Sequence, residues 1–218
     1  NSRLIEAVAV CQRAMAALGD TASADKARLL SALGRALSAR GDYAAAVAMF
    51  DQARALAEQV GNERALADVL HMQTAHHLGY AEFADGIRVG LQAAETFEQE
   101  SALWDLCSVQ AFVIYQDGSL GSREQAVRLA DKALGIAERL GHHGAAFLVL
   151  MDRIRQAAIL CDLPLVEELG PQILDIGKRG GLPYRYLAHV YLGLAAHWRG
   201  DAERAEAELR NAVELEPP

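Results

Sequence analysis

The sequence predicts an all-α protein built from repeated helical hairpins, and three observations support this class. The chain has 218 residues, of which 42 are alanine and 30 are leucine, and both residues favour helix. Glycine (18) and proline (5) make up only about a tenth of the chain, too little for a turn-rich β-sandwich or a disordered segment. Apolar residues also recur at spacings of three and four, which is typical of amphipathic helices.

The clearest hairpin lies between residues 30 and 60. Its second half carries one apolar stripe, formed by Tyr43, Ala46, Phe50, Ala53, Leu56 and Val60. We expect Gly41 to end the first helix, because glycine readily adopts the left-handed conformation found after helix ends. Asp42 then stands where its carboxylate can cap the second helix.

The same pattern returns at a period of about 40 residues. It predicts a leading helix within residues 1–20 and five hairpins, about eleven helices in all, within 23–61, 62–101, 102–141, 142–181 and 182–218. A single hairpin cannot bury its own stripe, so neighbouring hairpins must stack, and we expect one α–α superhelix over residues 1–218.

Residue size along the stripes suits such stacking. Small alanines are expected where the two helices of a hairpin touch, and larger side chains, Tyr43, Phe50 and Leu209, between hairpins. The alanines are Ala46, Ala53, Ala126, Ala133, Ala205 and Ala212.

Three local signals qualify the pattern. Ser122 followed by Gln125 has the spacing of a capping box. The segment 117–121 has one Asp and two Gly but lacks the further carboxylates of a calcium loop, so it predicts a plain turn. Pro171 cannot donate to the carbonyl of Glu167, and a kink or break near Gly170 follows.

Two repeats carry signature residues at matching positions. The first has Leu33-Gly34, Leu37, Gly41, Tyr43, Ala46, Phe50 and Ala53, and the last has Leu192-Gly193, Gly200, Ala205, Leu209, Ala212 and Pro217. In this the chain resembles the tetratricopeptide repeat (TPR) family, although Gln73, Gly90 and Arg153 depart from the pattern in the middle repeats. HEAT repeats have a similar period, but the Leu-Gly and Gly-Asp-Tyr signatures favour TPR.

The resemblance has functional implications. Repeats longer than the common 34 residues are similar to those of bacterial multidomain regulators, such as signal-transducing ATPases of the LuxR or maltose-activator type. In such proteins the repeats receive a signal or hold a partner. The resemblance therefore implies a protein- or peptide-binding module of a cytoplasmic signalling or transcriptional regulator.

Composition excludes several other classes. A net charge of −8 without a Lys/Arg cluster disfavours direct nucleic-acid binding, and no apolar run is long enough to span a membrane. The chain begins Asn1-Ser2 with neither an initiating methionine nor a signal peptide, which predicts a fragment of a longer protein. Three widely separated cysteines, Cys11, Cys107 and Cys161, are expected to be small core residues in a reducing compartment.

No motif predicts catalysis, a cofactor or a metal. The chain contains no phosphate-binding loop and no nucleophile elbow, and its seven histidines form no pair with the spacing of a metal site. His142 and His143 are therefore expected to be surface loop residues. Gln73 and His77 are expected on the packing face, as a hydrogen-bonded core pair or as a loosening that admits a ligand.

The binding site is expected on the inner wall formed by the first helix of each hairpin. Its candidate residues are Arg28, Arg35, Asp68, His71, Tyr115, Met151, Arg155, Leu187, Val190, Leu194 and Trp198, with Ser31, Ser38, Ala75, Ser108, Ala111 and Leu148 beside them. The N-terminal part is basic and hydroxylated and the C-terminal part is apolar. Such a wall suits a peptide with an acidic group and two or three apolar anchors.

Other interpretations of the same wall remain open. The apolar strip could pack within the superhelix or against a second copy in a homodimer. A pocket near His71, His77 and Tyr115 could bind a small effector and alter the superhelix pitch. The chain could also serve purely as an oligomerisation scaffold, which a strictly monomeric native mass would exclude.

Overall fold

A computed structural model describes residues 2–19, 21–121 and 123–215, without the side chains of residues 2, 3, 123–128 and 183. Over these ranges the chain forms eleven α-helices and one 3-10 turn, with no strand. The predicted all-α class and the predicted number of helices are confirmed.

The helices follow one another with short turns between them. They are α1 (Ser2–Leu18), α2 (Ala24–Ala39), α3 (Tyr43–Gln59), α4 (Glu63–Gly79), α5 (Phe83–Gln99), α6 (Leu103–Leu120), α7 (Arg123–Leu140), α8 (His143–Ile159), α9 (Leu163–Arg179), α10 (Tyr186–Trp198) and α11 (Ala202–Leu215). The 3-10 turn, Pro183–Arg185, precedes α10.

The chain packs as two compact units, Asn1–Gln116 and Asp117–Pro218, which we call the first and second units. In the first unit α2 packs against α3 and α4 against α5, while α2 and α4 also touch each other. In the second unit α8 packs against α9 and α10 against α11. That the whole chain forms one continuous superhelix stays a prediction.

The cores combine helices of successive hairpins. Leu30 of α2, Ala53 of α3 and Val69 of α4 form one buried cluster. Another joins α4, α5 and α6 through Phe97 and its neighbours. In the first unit neighbouring hairpins thus bury apolar side chains against each other, as a repeat fold requires.

Most of the predicted contact alanines are buried, namely Ala46, Ala53, Ala133, Ala205 and Ala212, whereas the side chain of Ala126 lies outside the described residues. Phe50 is buried as predicted. Tyr43 and Leu209 are partly exposed, so the prediction that they fill space between hairpins is only half right. The Tyr43 ring still contacts the rings of His76 and Tyr80.

The turns between helices recur in steps of about twenty residues. The residue at each turn has a positive φ: Gly19, Gly41, Gly61, Ala81, Ser101, Gly121, Gly141, Cys161, Gly181 and Gly200. Gly41 therefore ends α2 as expected, and Asp42 accepts a hydrogen bond from the Ala45 backbone N–H at 3.3 Å. The smallest repeating unit is thus one helix with one turn, about twenty residues long, which is half of the predicted 40-residue period.

The predicted turn at 117–121 and the predicted break near Gly170 were wrong, whereas a kink near Gly170 stays a prediction. Residues 117–120 continue α6 instead of forming a turn, and only Gly121 turns the chain. The helix α9 runs unbroken through Pro171, which is exposed. Gly170 favours a continuous helix at this point, because it has no Cβ to clash with the ring of the following proline. The capping pair Ser122 and Gln125 lies outside the described residues, as does Pro217.

The three cysteines differ in environment. Cys107 is buried, as predicted, and burial raises the pKa of its thiol to about 11. Cys11 is half-buried. Cys161 is exposed, contrary to prediction, because it occupies one of the left-handed turn positions between two helices.

Candidate functional site

A cavity of about 370 Å³ opens on the first helices of three successive hairpins in the first unit, and we call it the first-unit cavity. Volumes from about 300 Å³ upward are typical of ligand sites. It is lined by Arg28, Ser31 and Ala32 of α2, Asp68, His71 and Met72 of α4, and Trp104, Asp105 and Ser108 of α6. The predicted residues Arg28, Asp68 and His71 thus lie around one opening.

Arg28 joins two carboxylates. Its Nε donates to Asp68 Oδ2 at 2.7 Å, which ties α2 to α4. Its Nη1 donates to Asp25 Oδ1 at 3.1 Å. The hydrogen bond to Asp68 is the main reason why the pKa of Arg28 is raised. Arg28 is therefore already paired in the unliganded chain.

Arg64 of α4 connects three further acceptors behind the cavity. It donates to Asp68 Oδ1 at 3.0 Å, to Glu100 at 3.1 Å and to Asp105 Oδ2 at 2.5 Å. Its guanidinium carbon also lies 4.8 Å from the centre of the Phe97 ring, a cation–π distance. Burial lowers the pKa of Arg64, but these hydrogen bonds outweigh burial and leave it raised.

The charge of this network differs from the sequence expectation. Two arginines face four carboxylates, those of Asp25, Asp68, Glu100 and Asp105, which leaves the network with two negative charges. The prediction of a basic wall does not hold at this cavity, because Arg28, one of the two predicted cations, is paired with Asp68 one repeat away in sequence and with Asp25 three residues away.

The remaining cavity residues include three polar side chains and one large aromatic ring. His71 shares a hydrogen bond of 3.0 Å between its Nε2 and Ser108 Oγ. The side chain of Trp104 is 52% exposed although it lies at the cavity. Ser31 is only 2% exposed, and its hydroxyl has no hydrogen-bond partner in the described part of the chain. A buried hydroxyl without a partner costs about 1–3 kcal/mol.

Other residues predicted for this wall lie elsewhere. Arg35 and Tyr115 are half-buried but do not line the cavity. Ala75 and Ala111 are buried, and the Ser38 hydroxyl bonds to His76 instead of facing solvent. The accessible strip along the first helices is therefore narrower than the sequence indicates, because each helix packs against its own hairpin partner and against neighbouring hairpins.

The buried histidine of α4 is His76. It is 1% exposed and its Nδ1 lies 2.9 Å from Ser38 Oγ, with the rings of Tyr43, Phe50 and Tyr80 around it. The prediction that His77 and Gln73 form the core pair was wrong. His77 is half-buried and its Nδ1 lies 2.7 Å from a carboxylate oxygen of Glu82.

This histidine cluster shifts two ionisation equilibria. Burial, reinforced by the neighbouring His77, lowers the pKa of His76. A hydrogen bond from the Tyr43 hydroxyl, at 2.7 Å, is the main cause of the lowered pKa of Glu82. Neither His76 nor His77 lines the first-unit cavity.

The predicted wall residues of the second unit are mostly packed inside it. Met151 is 2% exposed, so its prediction as a wall residue was wrong. The reason is that α8 packs against α7, α9 and α10, which cover most of its surface. Arg155 of the same helix donates to the carboxylate of Asp152, which is buried. Burial raises the pKa of Asp152, and the Arg155 hydrogen bond opposes that rise.

The apolar residues predicted on α10 are only partly accessible. Leu187, Val190 and Leu194 are half-buried, and Trp198, the last residue of the helix, is exposed. His189 lies among them, with its Nδ1 2.7 Å from Glu208 of α11. These residues remain binding candidates by prediction alone.

Sequence reasoning missed Arg64, Met72, Trp104 and Asp105. The sequence did contain a signal for Arg64 and Asp105, because they are oppositely charged and 41 residues apart. Arg28 and Asp68 show the same pattern at 40 residues. Opposite charges separated by one repeat on first helices come together across neighbouring hairpins. Trp104 gave no comparable signal, since an aromatic residue in a first turn suits a core as well as a site.

Within residues 2–19, 21–121 and 123–215, no cluster of three or more His, Cys, Asp or Glu side chains could hold a metal ion. The helices of the described part of the chain are also too short or too polar to cross a bilayer. His142, predicted as a loop residue, accepts a hydrogen bond at Nδ1 from the Ala145 N–H and so caps α8.

The chain matches no protein-family model, and a comparison with curated protein sequences gives no match. Solved structures do resemble it. BtubC (BKLC) from P. vanneervenii superposes with a TM-score of 0.68 at 15% identity, covering 99% of this chain and 91% of that one. A Podosopora anserina protein assigned as a kinesin light chain, with nearly identical TPR-like repeats, gives 0.63 at 15% identity, covering 89% and 97%.

At this level of identity the likeness establishes the fold alone. The fold is that of TPR-like helical repeats. The expected TPR-like resemblance is confirmed to that extent.

Proposed function

We propose that this chain is the interaction module of a larger cytoplasmic bacterial regulator, and that it holds a peptide segment of a partner protein along α2, α4 and α6. The proposal gives the chain no catalytic role. The observation that carries it is the first-unit cavity, where charged, hydroxylated and aromatic side chains from three hairpins surround one opening.

The mode of binding follows from the helical wall. First helices in contact, such as α2 and α4, present side chains at regular intervals along the wall. An extended or helical segment can therefore contact several hairpins in turn, with specificity set by the side chains at each step. The half-exposed ring of Trp104 is a suitable apolar anchor, since large aromatic residues often dominate binding energies.

The regulatory context rests on the long repeats, which are similar to those of bacterial signal-transducing ATPases. The regulatory context is tested by the sequence of the full-length gene from which this chain derives. We expect an ATPase or cyclase module before the repeats and a helix-turn-helix domain after them. A parent with neither would contradict the regulatory role and leave the interaction module to be tested separately.

Peptide binding is tested by selecting from a library of random 12-residue peptides with the wild-type chain and measuring the selected peptides by fluorescence anisotropy. Trp104→Ala should weaken binding by about tenfold or more, because it removes an aromatic anchor. The matched control is Leu103→Ala, the neighbouring exposed side chain outside the cavity. Failure to enrich any peptide, or equal effects of the two variants, would refute the proposal.

A small-molecule effector is the second candidate, favoured by the cavity volume and by the partnerless hydroxyl of Ser31. Of the residues first associated with this alternative, His71 lines the cavity, while His77 and Tyr115 do not. A thermal-shift screen with small metabolites distinguishes the candidates. The effector would be favoured if the wild-type chain selects no peptides but is stabilised by a metabolite, and if this stabilisation is lost in Trp104→Ala.

A further inference from the structure

We propose that the first-unit cavity recognises a cationic side chain, with arginine preferred, carried by the partner peptide. This inference rests on the proposed function and names the chemistry of the same site. It reverses the sequence expectation of an acidic partner, and three independent observations support it.

The first observation is the charge balance. The cavity is lined by one cation, Arg28, and two carboxylates, Asp68 and Asp105. Arg28 is occupied by Asp68 and Asp25, so it offers little to an incoming anion. Asp105 bonds to Arg64 through Oδ2 only, and its Oδ1 accepts no hydrogen bond within the described part of the chain. A cation could approach this oxygen without breaking the existing ion pair.

The second observation is the position of Trp104 beside Asp105. The indole ring is about half exposed at the cavity. A guanidinium group favours this combination, because its flat face stacks on an aromatic ring while its edge donates to a carboxylate. Arg64 already uses both contacts in the same way, with the Phe97 ring and the Asp105 carboxylate.

The third observation is Ser31, which lines the cavity and is almost fully buried. Its hydroxyl has no hydrogen-bond partner among the described residues, although a buried polar group without a partner destabilises the fold. A guanidinium N–H is a suitable donor to this oxygen. The unpaired hydroxyl is thus explained as an acceptor kept for a ligand.

The direct test uses three probes of similar size: acetyl-arginine amide, its neutral isostere acetyl-citrulline amide, and acetyl-glutamate amide. The chain carries Trp198→Phe, so that Trp104 is the remaining tryptophan and its fluorescence reports binding. We expect saturable binding of the arginine probe, weakened by added salt, and at least about tenfold weaker binding of the other two. Equal binding of citrulline, or tighter binding of glutamate, would overturn the proposal.

Two variants locate the binding. Asp105→Asn should weaken the arginine probe about tenfold, whereas Asp85→Asn, which removes another arginine-paired carboxylate of the same unit, should not change the affinity. Ser31→Ala should lower the affinity and raise Tm by about 2–4 °C, since it removes an unpaired buried hydroxyl. A purely structural serine would leave the affinity unchanged, which would contradict its role as acceptor.

Failure of this inference differs from failure of the proposed function. Selected peptides that bind through Trp104 but contain no arginine or lysine at a fixed position would refute the cation pocket and keep the peptide groove. Binding of the arginine probe without enrichment of any peptide would refute the peptide groove and keep the cation pocket.

Discussion

The Arg28–Asp68 pair of the first unit, which joins α2 and α4, and the Arg155–Asp152 pair of the second unit, which lies within α8, both sit on first helices but have different environments. The side chains of Arg28 and Asp68 are 38% and 25% exposed, whereas those of Arg155 and Asp152 are 18% and 5% exposed. The same pair of residue types therefore borders an open cavity in one unit and lies in the interior of the other.

This difference teaches that burial decides what a charged wall residue does. An exposed ion pair contributes only about 0–1 kcal/mol to stability, so the fold tolerates the loss of one of its partners. In a buried pair each charge depends on the other, because neither can be solvated if the pair is broken. A charged residue on a first helix is thus a binding candidate in the first unit and a structural element in the second.

The largest expected effect breaks the buried pair. Arg155→Met should destabilise the protein by about 3–5 kcal/mol, because the Asp152 carboxylate then lies buried without a cation. Arg28→Met should cost about 1 kcal/mol or less, since Asp68 keeps its bond to Arg64. Urea denaturation measures both. Equal losses would contradict the comparison, and Asp152→Asn combined with Arg155→Met should recover part of the stability.

The next effect concerns the glycine that packs against Asp152. A Cβ at Gly118 would lie 2.5 Å from an Asp152 carboxylate oxygen, and the Gly118 carbonyl accepts a bond of 2.8 Å from Gln156. We expect Gly118→Ala to destabilise by about 1–3 kcal/mol. Gly135→Ala is the matched control within α7, where the nearest atom is 3.9 Å away, and should stabilise by up to about 1 kcal/mol. A stabilising Gly118→Ala would mean that Asp152 is not confined.

The turns offer a smaller effect that should be the same in both units. Ser101 and Cys161 have φ near 55° and 57°, where a side chain is unfavourable. Ser101→Gly and Cys161→Gly should each stabilise by about 1 kcal/mol, and Gly41→Ala should destabilise by a similar amount. Thermal unfolding measures these changes. A gain in one unit only would show that the turns are not equivalent.

The smallest effect is a change in the pH dependence of stability. His76 has a lowered pKa in the folded chain, so the unfolded chain binds the proton first as pH falls below about 6.5. The wild type should therefore lose stability between pH 7 and 5 relative to His76→Gln, which does not titrate. Denaturation midpoints at several pH values test this, and parallel curves for both proteins would contradict it.

Asp152 should show the opposite sign. Its raised pKa means that the folded chain keeps this proton above pH 3.8, where an unfolded aspartate has lost it. The contribution of Asp152 to stability therefore falls as pH rises through that window. Relative to Asp152→Asn, the wild type should lose stability as pH rises above about 4, and a gain would show that Arg155 outweighs burial.

The sequence predicted features that depend on neighbours along the chain. The helix count and the capping role of Asp42 follow from periodicity and short-range hydrogen bonds, and both are confirmed. Met151 could not be placed in the same way, because its burial depends on three other helices packed around α8. The pairing of Arg28 with Asp68 was also missed, because it joins two helices 40 residues apart and shows only when charges are compared across one repeat.

The left-handed turn residues have one more consequence, for how such a chain can change in length. Turns at positions 41, 61, 81 and onward divide the chain into pieces of equal size. One residue inserted inside α4 would rotate every later side chain of that helix by about 100° and remove His71 from its place at the cavity. A duplicated block of forty residues, cut at two such turns, preserves every helix face and adds one hairpin. Duplication of whole hairpins is therefore the conservative route by which this architecture can grow, and single-residue insertions belong at the turns.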